Sequence, residues 1–186
     1  PLGREVVLGP VDAMVTHASG CGVPVKQYGH RLRDDPAYAE RARRVSALTR
    51  DISELLPDLV PALQGRLQPQ RSSAKQGQPE GAAPGLLAFH PPCTLQHGQQ
   101  IRGKVEGVLR AAGVDVTLCA DSHLCCGSAG TYSVLQPALS HQLRDNKLAN
   151  LEASAPELIV SANIGCIAHL QSGTATPVRH WIELID

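Results

Sequence analysis

The sequence predicts an α/β fold with an open, mostly parallel sheet and flanking helices. Two observations lead to this prediction. Short apolar runs alternate with amphipathic helical patterns in the second half of the chain, and cysteines follow those runs directly. Parallel strands need helix-sized crossovers, so this alternation is typical of parallel sheets. Such sheets bind ligands at the carboxyl ends of their strands.

The first predicted elements lie before residue 64. Residues 13–16 have a short strand pattern, and helical patterns cover residues 35–48 and 52–63. After them, a stretch of Gln, Arg, Ser, Gly, Pro and Ala with few large apolar side chains is typical of a flexible linker. We therefore predict three regions, which are residues 1–63, a linker over residues 64–85 and residues 86–186.

Beyond the linker the alternation is clearer. Residues 86–90 form a buried strand pattern that Pro91 and Pro92 stop. An amphipathic helix is predicted over residues 99–112, with Gly113 as its C-terminal stop. The remaining predicted elements are a strand over residues 114–119, a helix over 137–153, a strand over 158–161 and a helix beginning near Gly165.

The cysteines are the residues with the most distinctive chemistry. Cys125 and Cys126 are adjacent and precede Gly127, while Cys93 and Cys166 follow other predicted strands. Neighbouring side chains in a strand point to opposite faces, so an adjacent pair needs a turn to serve one metal group, and glycine provides the backbone freedom for it. A cluster of several irons accepts thiolates from more directions than one zinc ion does. The pair therefore favours an iron–sulfur cluster.

Three interpretations of the thiols are open on the residues alone. In the first, Cys93, Cys125, Cys126 and Cys166 bind an iron–sulfur cluster. In the second, they form a structural zinc site that docks partner subunits, with His169 as a further candidate ligand. In the third, the adjacent pair forms a vicinal disulfide in a thiol–disulfide enzyme.

Composition argues against several classes of function. The 186 residues include 17 basic and 17 acidic side chains and only 3% aromatic residues, so a basic, aromatic-rich surface for nucleic acid is not expected. No apolar run reaches the roughly 18 residues of a membrane span. Six cysteines without a signal peptide indicate a reducing compartment, the cytoplasm, and leave room for a peripheral position at the inner face of a membrane.

Two segments share a plan at an offset of 145 residues. Residues 13–21 and 158–166 each run through a short strand pattern to a Gly-Cys pair. The offset predicts that residues 1–63 are the closing part of a first copy of the domain. Cys21 is then a candidate ligand whose partners lie upstream, and the chain is expected to be a fragment of a longer protein.

Four motifs resemble one protein family. In them the chain resembles the cysteine-rich CCG domain, which occurs twice in the iron–sulfur subunit of glycolate oxidase and in one of the subunits of heterodisulfide reductase. The resemblance covers nearly the whole chain outside the linker. The motifs are Gly20-Cys21-Gly22, the segment from His90 to Cys93, Cys125-Cys126-Gly127-Ser128-Ala129-Gly130, and Ala162-Asn163-Ile164-Gly165-Cys166.

The resemblance implies a CCG domain preceded by the tail of a first copy, and a function in electron transfer. A flavin-bearing partner oxidises glycolate to glyoxylate, and this subunit passes the electrons to an acceptor. The chain itself then holds no complete catalytic centre, and lactate or another 2-hydroxy acid stays open as the substrate. The implied cofactor is a 4Fe-4S cluster on Cys93, Cys125, Cys126 and Cys166, with zinc as the alternative. At His169 the chain departs from the heterodisulfide reductase pattern, which has cysteine there.

Overall fold

The computed structural model describes residues 11–63 and 86–185. The first range contains two short parallel strands, β1 (Met14–Thr16) and β2 (Thr49–Asp51). The predicted first strand and the two predicted helices of this range are confirmed, whereas residues 64–85 lie outside the described residues. The helices of the first range are α1 (Ser19–Lys26), α2 (Tyr28–Arg31), α3 (Ala39–Leu48) and α4 (Ile52–Leu63).

The second range forms a four-stranded sheet in the order β4–β3–β5–β6, with every neighbouring pair parallel. The predicted open parallel sheet with flanking helices is therefore confirmed. In chain order the elements are β3 (Leu87–His90), a π-helical turn (Thr94–Gly98), α5 (Lys104–Ala111), β4 (Thr117–Leu118), α6 (Tyr132–Leu135), α7 (Pro137–Glu152), β5 (Leu158–Ser161), α8 (Ile164–Gln171), β6 (Val178–His180) and a 3₁₀ turn (Trp181–Leu184).

In the second range, two predicted elements are clearly shorter than their sequence patterns. The helix predicted over residues 99–112 begins at Lys104, because Gly103 directly before it adopts a left-handed conformation with φ of 71°. The strand predicted over residues 114–119 is reduced to the two residues of β4. This strand lies at the edge of the sheet, where β3 alone holds it in register.

Two apolar clusters cover the four-stranded sheet. One contains Phe89 and Val160, and the other contains Ala88 and Ile159. Because successive strand residues point to opposite faces, the two clusters lie on opposite faces of the sheet. The second cluster also contains Cys126, so one thiol of the predicted site is part of the core.

The two described ranges share a core. Leu56 and Val60 of α4 lie in the same apolar cluster as Trp181, close to the end of the chain. A polar contact accompanies them, since Gln99 Nε2 donates a hydrogen bond to the carbonyl oxygen of Ser19 at 3.0 Å. The division into domains stays a prediction, but α4 is stabilised by the second range. None of the helices in residues 11–63 and 86–185 is long and apolar enough to cross a bilayer.

Candidate metal centre

Four cysteines from three segments line one cavity of about 720 Å³. Cys93 follows β3, Cys125 and Cys126 lie in the loop after β4, and Cys166 lies in the first turn of α8 after β5. All four therefore lie beyond the carboxyl ends of parallel strands, where open α/β sheets place their ligands. The structure brings together the four thiols that the sequence pattern singled out.

The four thiols are neighbours in a row, each close enough to the next for their interaction to shift the pKa. Cys93 is linked to Cys125, Cys125 to Cys126, and Cys126 to Cys166. All four are free thiols, so Cys125 and Cys126 do not form a vicinal disulfide here. Within residues 11–63 and 86–185, no group of three or more His, Cys, Asp or Glu side chains is already arranged to hold a metal ion.

Hydrogen bonding makes the thiols unequal as acids. Cys125 accepts from the thiols of Cys126 and Cys93, which holds its pKa far below the usual range of a cysteine. A hydrogen bond from Cys126 likewise lowers the pKa of Cys166. The pKa values of Cys93 and Cys126 are raised, mainly because each hydrogen-bonds to Cys125. Deprotonation is therefore favoured at Cys125 and Cys166 relative to Cys93 and Cys126, and thiolate is the form that binds metal.

Gly127 forms the turn that the adjacent cysteines require, as predicted. Its φ of 88° lies in the left-handed region. Its amide donates to Cys125 Sγ at 3.3 Å, and its carbonyl oxygen accepts from Ser140 Oγ at 2.8 Å. A Cβ atom at this position would collide with the carbonyl oxygen of Ser140. The turn is therefore closed from both sides and accepts glycine only.

Asn163 supplies a hydrogen bond to the site that the sequence pattern did not reveal. Its Nδ2 donates to Cys166 Sγ at 3.4 Å, while its Oδ1 accepts from the amide of Gly20 at 3.3 Å. The neighbouring Ser19 amide donates to the carbonyl oxygen of Ala162 at 3.0 Å. The two segments of the internal repeat therefore meet beside Cys166. Hydrogen bonds to ligand sulfurs are one of the factors that set the potential of an iron–sulfur centre.

The two additional candidate ligands lie in different places. His169 lines the cavity, and its Nε2 lies 3.1 Å from Ser140 Oγ and 3.3 Å from the carbonyl oxygen of Ser140. Because a carbonyl oxygen only accepts, Nε2 carries a proton when it forms this hydrogen bond. Cys21 is exposed on α1 and is not one of the cavity-lining residues. Metal binding by either residue stays a prediction.

Two buried basic side chains accompany the thiols. His90 is fully buried, with Nδ1 3.0 Å from Ser161 Oγ and Nε2 without a partner among the described residues. Burial lowers the pKa of His90 to about 3, so this ring is neutral at pH 7. Lys147 of α7 is only 2% exposed, and its Nζ donates to the carbonyl oxygen of Asp121 at 2.6 Å. Lysine is rarely buried, and nothing in its sequence context indicates this position.

The parallel sheet and the row of thiols at its strand ends define a cysteine-rich domain. Residues 87–171 match the CCG family, described as a cysteine-rich domain. The chain is 49% identical over 175 residues to the glycolate oxidase iron-sulfur subunit of Escherichia coli (strain K12), an alignment that covers 94% of this chain and 39% of the relative. The predicted resemblance is confirmed.

Two further relatives are more distant. The chain is 29% identical over 164 residues to the probable glycolate oxidase iron-sulfur subunit of Bacillus subtilis (strain 168), covering 88% of this chain and 34% of the relative. It is 27% identical over 184 residues to lactate utilization protein A of Geobacillus thermodenitrificans (strain NG80-2), covering 94% of this chain and 70% of the relative. The chain thus spans between a third and two fifths of the two glycolate oxidase subunits.

Proposed function

We propose that this chain is part of an iron–sulfur electron-transfer subunit of a glycolate oxidase complex. The observation that carries the proposal is the convergence of Cys93, Cys125, Cys126 and Cys166 on one cavity. The 49% identity to a glycolate oxidase iron-sulfur subunit supports the choice of complex. In this proposal a flavin-bearing partner subunit oxidises glycolate to glyoxylate, and the thiol-lined site takes part in passing the electrons to an acceptor.

The cofactor proposed for the cavity is an iron–sulfur cluster of the 4Fe-4S type. Cysteine thiolates are the usual ligands of such clusters, and the four thiols match the four ligands that one cluster takes. The amide of Gly127 and the side chain of Asn163 donate hydrogen bonds to two of the sulfurs. When bound, the cluster would supply reversible one-electron transfer. The chain's own residues would hold it, and the burial of Cys126 and Cys166 would shield it from water.

The position of the subunit in the cell follows from this function and is also a proposal. A subunit that receives electrons from a flavoprotein needs contact with that partner, and the absence of a membrane-spanning helix within residues 11–63 and 86–185 fits either a cytoplasmic or a peripheral inner-face location. Fractionation of cells into soluble and membrane pools, with and without the flavin-bearing partner, would distinguish the two locations.

Iron and acid-labile sulfide analysis of anaerobically purified protein tests the cofactor. We expect a coloured protein with similar amounts of iron and sulfide. Replacing any one of Cys93, Cys125, Cys126 and Cys166 by serine should lower both, because a thiolate ligand is lost. Cys119→Ser is the matched control, since Cys119 packs against the second apolar cluster and does not line the cavity. A colourless protein with equimolar zinc and no sulfide would instead support the structural zinc site.

Lactate is the second candidate substrate of the complex, because the chain is also similar to a lactate utilization protein. The test is reduction of an artificial electron acceptor by the assembled complex, with glycolate and lactate compared at equal concentrations. We expect the higher kcat/KM with glycolate. A higher value with lactate would retain the electron-transfer function and overturn the choice of complex.

A further inference from the structure

Lys147 is a buried cation, and the four proposed cysteine ligands do not by themselves explain its burial. Its side chain is 2% exposed, and among the described residues no carboxylate forms an ion pair with it. Its one hydrogen bond in that part of the chain goes to the carbonyl oxygen of Asp121. A buried ammonium group without a negative partner is strongly disfavoured. A negative charge is therefore expected beside it.

The thiol row is the candidate for this negative charge, because Lys147 contacts the loop that leads to it. Asp121 lies in the loop between β4 and Cys125, so Lys147 is hydrogen-bonded to the segment that carries the adjacent cysteine pair. The next residue, Leu148, packs in the apolar cluster that includes two of the four thiols.

The other nearby basic groups do not provide this charge. His90 lies beside the thiols but is neutral, because burial and the ammonium group of Lys147 lower its pKa to about 3. Lys26 is paired with Glu54, and Lys104 is exposed at the start of α5. Arg144 contacts the cavity-lining Ser172 but is paired with Asp145. Within residues 11–63 and 86–185, Lys147 is therefore the one buried lysine or arginine, and it has no anionic partner.

We propose that Lys147 is a fixed counter-charge to the iron–sulfur site and raises its reduction potential. This inference rests on the proposed function. A cluster held by four thiolates carries net negative charge, and reduction adds one more electron. A buried cation stabilises the reduced form more than the oxidised form, and it does so more effectively in a protein interior than at a surface. Lys147 is thus a tuning residue that acts through its charge, and it is not one of the ligands.

The experiment is a redox titration of the cluster in the anaerobically purified chain, followed by electron paramagnetic resonance. Lys147→Met removes the charge, Lys147→Gln removes the charge but keeps a donor for Asp121, and Lys147→Arg keeps the charge. We expect the equilibrium constant for one-electron reduction to fall about tenfold in both neutral variants, which is a potential about 59 mV lower. Lys147→Arg and the exposed-lysine control Lys104→Met should keep a potential close to that of the wild type.

The outcomes separate this inference from the proposed function. If all variants take up the cluster and have equal reduction potentials, the counter-charge role of Lys147 is overturned and the electron-transfer function stands. A low potential in Lys147→Met but not in Lys147→Gln would assign the effect to the hydrogen bond and also overturn it. Loss of cluster from both neutral variants but not from Lys147→Arg would support the charge requirement, whereas loss from all three would show a packing role and overturn the counter-charge. A wild-type chain that never takes up iron and sulfide would overturn both proposals.

Discussion

Gly127 and Ser140 hold the turn after the cysteine pair through contacts in both directions. The Ser140 hydroxyl donates to the carbonyl oxygen of Gly127, and the Ser140 carbonyl oxygen occupies the space that a Cβ on Gly127 would need. The ring of His169 closes the same space from a third side. At the scale of single residues, the adjacent thiols can face one cavity because Gly127 has no Cβ atom.

Gly127→Ala should lower the free energy of unfolding by about 3 kcal/mol or more, because backbone strain and a steric collision add at one position. Gly130→Ala is the matched control. Gly130 also has a positive φ, of 56°, but nothing lies within 4 Å of its added Cβ, so a loss of only about 1 kcal/mol is expected. Urea denaturation of both variants measures the difference, and equal losses would show that the collision with Ser140 is relieved without cost.

His90 makes stability depend on pH. Its pKa is about 3 in the folded chain and about 6.5 when unfolded, so the unfolded state binds more protons between these values. The stabilisation of the folded state by neutral His90 is therefore complete above pH 6.5. It is lost on acidification, by up to about 1.4 kcal/mol in the free energy of unfolding per pH unit. His90→Asn retains a polar partner for Ser161 and removes the titration. Between pH 7 and pH 5, the urea midpoint of the cluster-free wild type should fall more than that of cluster-free His90→Asn. Equal falls in the two proteins would show that His90 is not the source of the pH dependence.

At the scale of elements, α4 ties the first described range to the sheet of the second. It begins at Ile52 directly after β2, and its buried side chains Leu56 and Val60 reach the cluster that contains Trp181. Asp58 and Leu59 lie outside this buried stripe and are exposed. Helix α4 is therefore amphipathic, and its apolar side is buried against the second range.

Val60→Ala should destabilise the sheet as well as α4, by about 2 kcal/mol, because it leaves a cavity in the shared core. Leu59→Ala removes more atoms from the same helix but from a position that is 50% exposed, so a change below about 0.5 kcal/mol is expected. Trp181 is the chain's one tryptophan and is fully buried, so its fluorescence follows unfolding of this core. An unchanged Trp181 transition in Val60→Ala would show that α4 unfolds separately.

The elements that the sequence predicted well are those with their own periodic pattern. The predicted helix over residues 52–63 and the predicted strand over residues 158–161 have the observed bounds. The strands β2 (Thr-Arg-Asp) and β6 (Val-Arg-His) were not predicted, since neither has an apolar run of its own and each depends on pairing with another strand. Local propensity contains no information about such pairing. Helix α5 was predicted too long because its pattern continues through the left-handed Gly103.

The candidate site also contains residues that could be predicted from the sequence and residues that could not. The four thiols were predictable because cysteine chemistry is rare and its spacing is visible in the sequence, and the structure places them around one cavity. The groups that act on those thiols could not be predicted from the sequence. Lysine at position 147 has the same sequence signature whether exposed or buried, and the hydrogen bond from Asn163 depends on the orientation of one side chain.

At the scale of the whole molecule, the proposed cluster would join three segments that are distant in sequence. Cys93, the Cys125–Cys126 pair and Cys166 follow three neighbouring strands of the sheet. A group bound to the folded state only shifts the unfolding equilibrium toward the folded state. A cross-link between strand ends should therefore stabilise the complete sheet, and not only the loops that hold the thiols.

Removing the cluster by oxidation and chelation should lower the unfolding temperature by roughly 5–10 °C, the shift expected for a ligand contribution of about 3 kcal/mol in a chain of this size. Differential scanning calorimetry of the loaded and stripped forms measures it. Cys126→Ser provides the control, because a chain that does not load should melt at the same temperature before and after chelation. An equally large shift in that variant would attribute the effect to the treatment.

The contact between Gly20 and Asn163 has a consequence for communication within the chain. A Cβ on Gly20 would press on Asn163 Oδ1, and the same side chain donates to Cys166 Sγ. One amide group thus forms a bridge from the backbone of α1 to the sulfur of Cys166. A displacement of α1 would therefore move Asn163 and change the length of the hydrogen bond that Cys166 Sγ accepts.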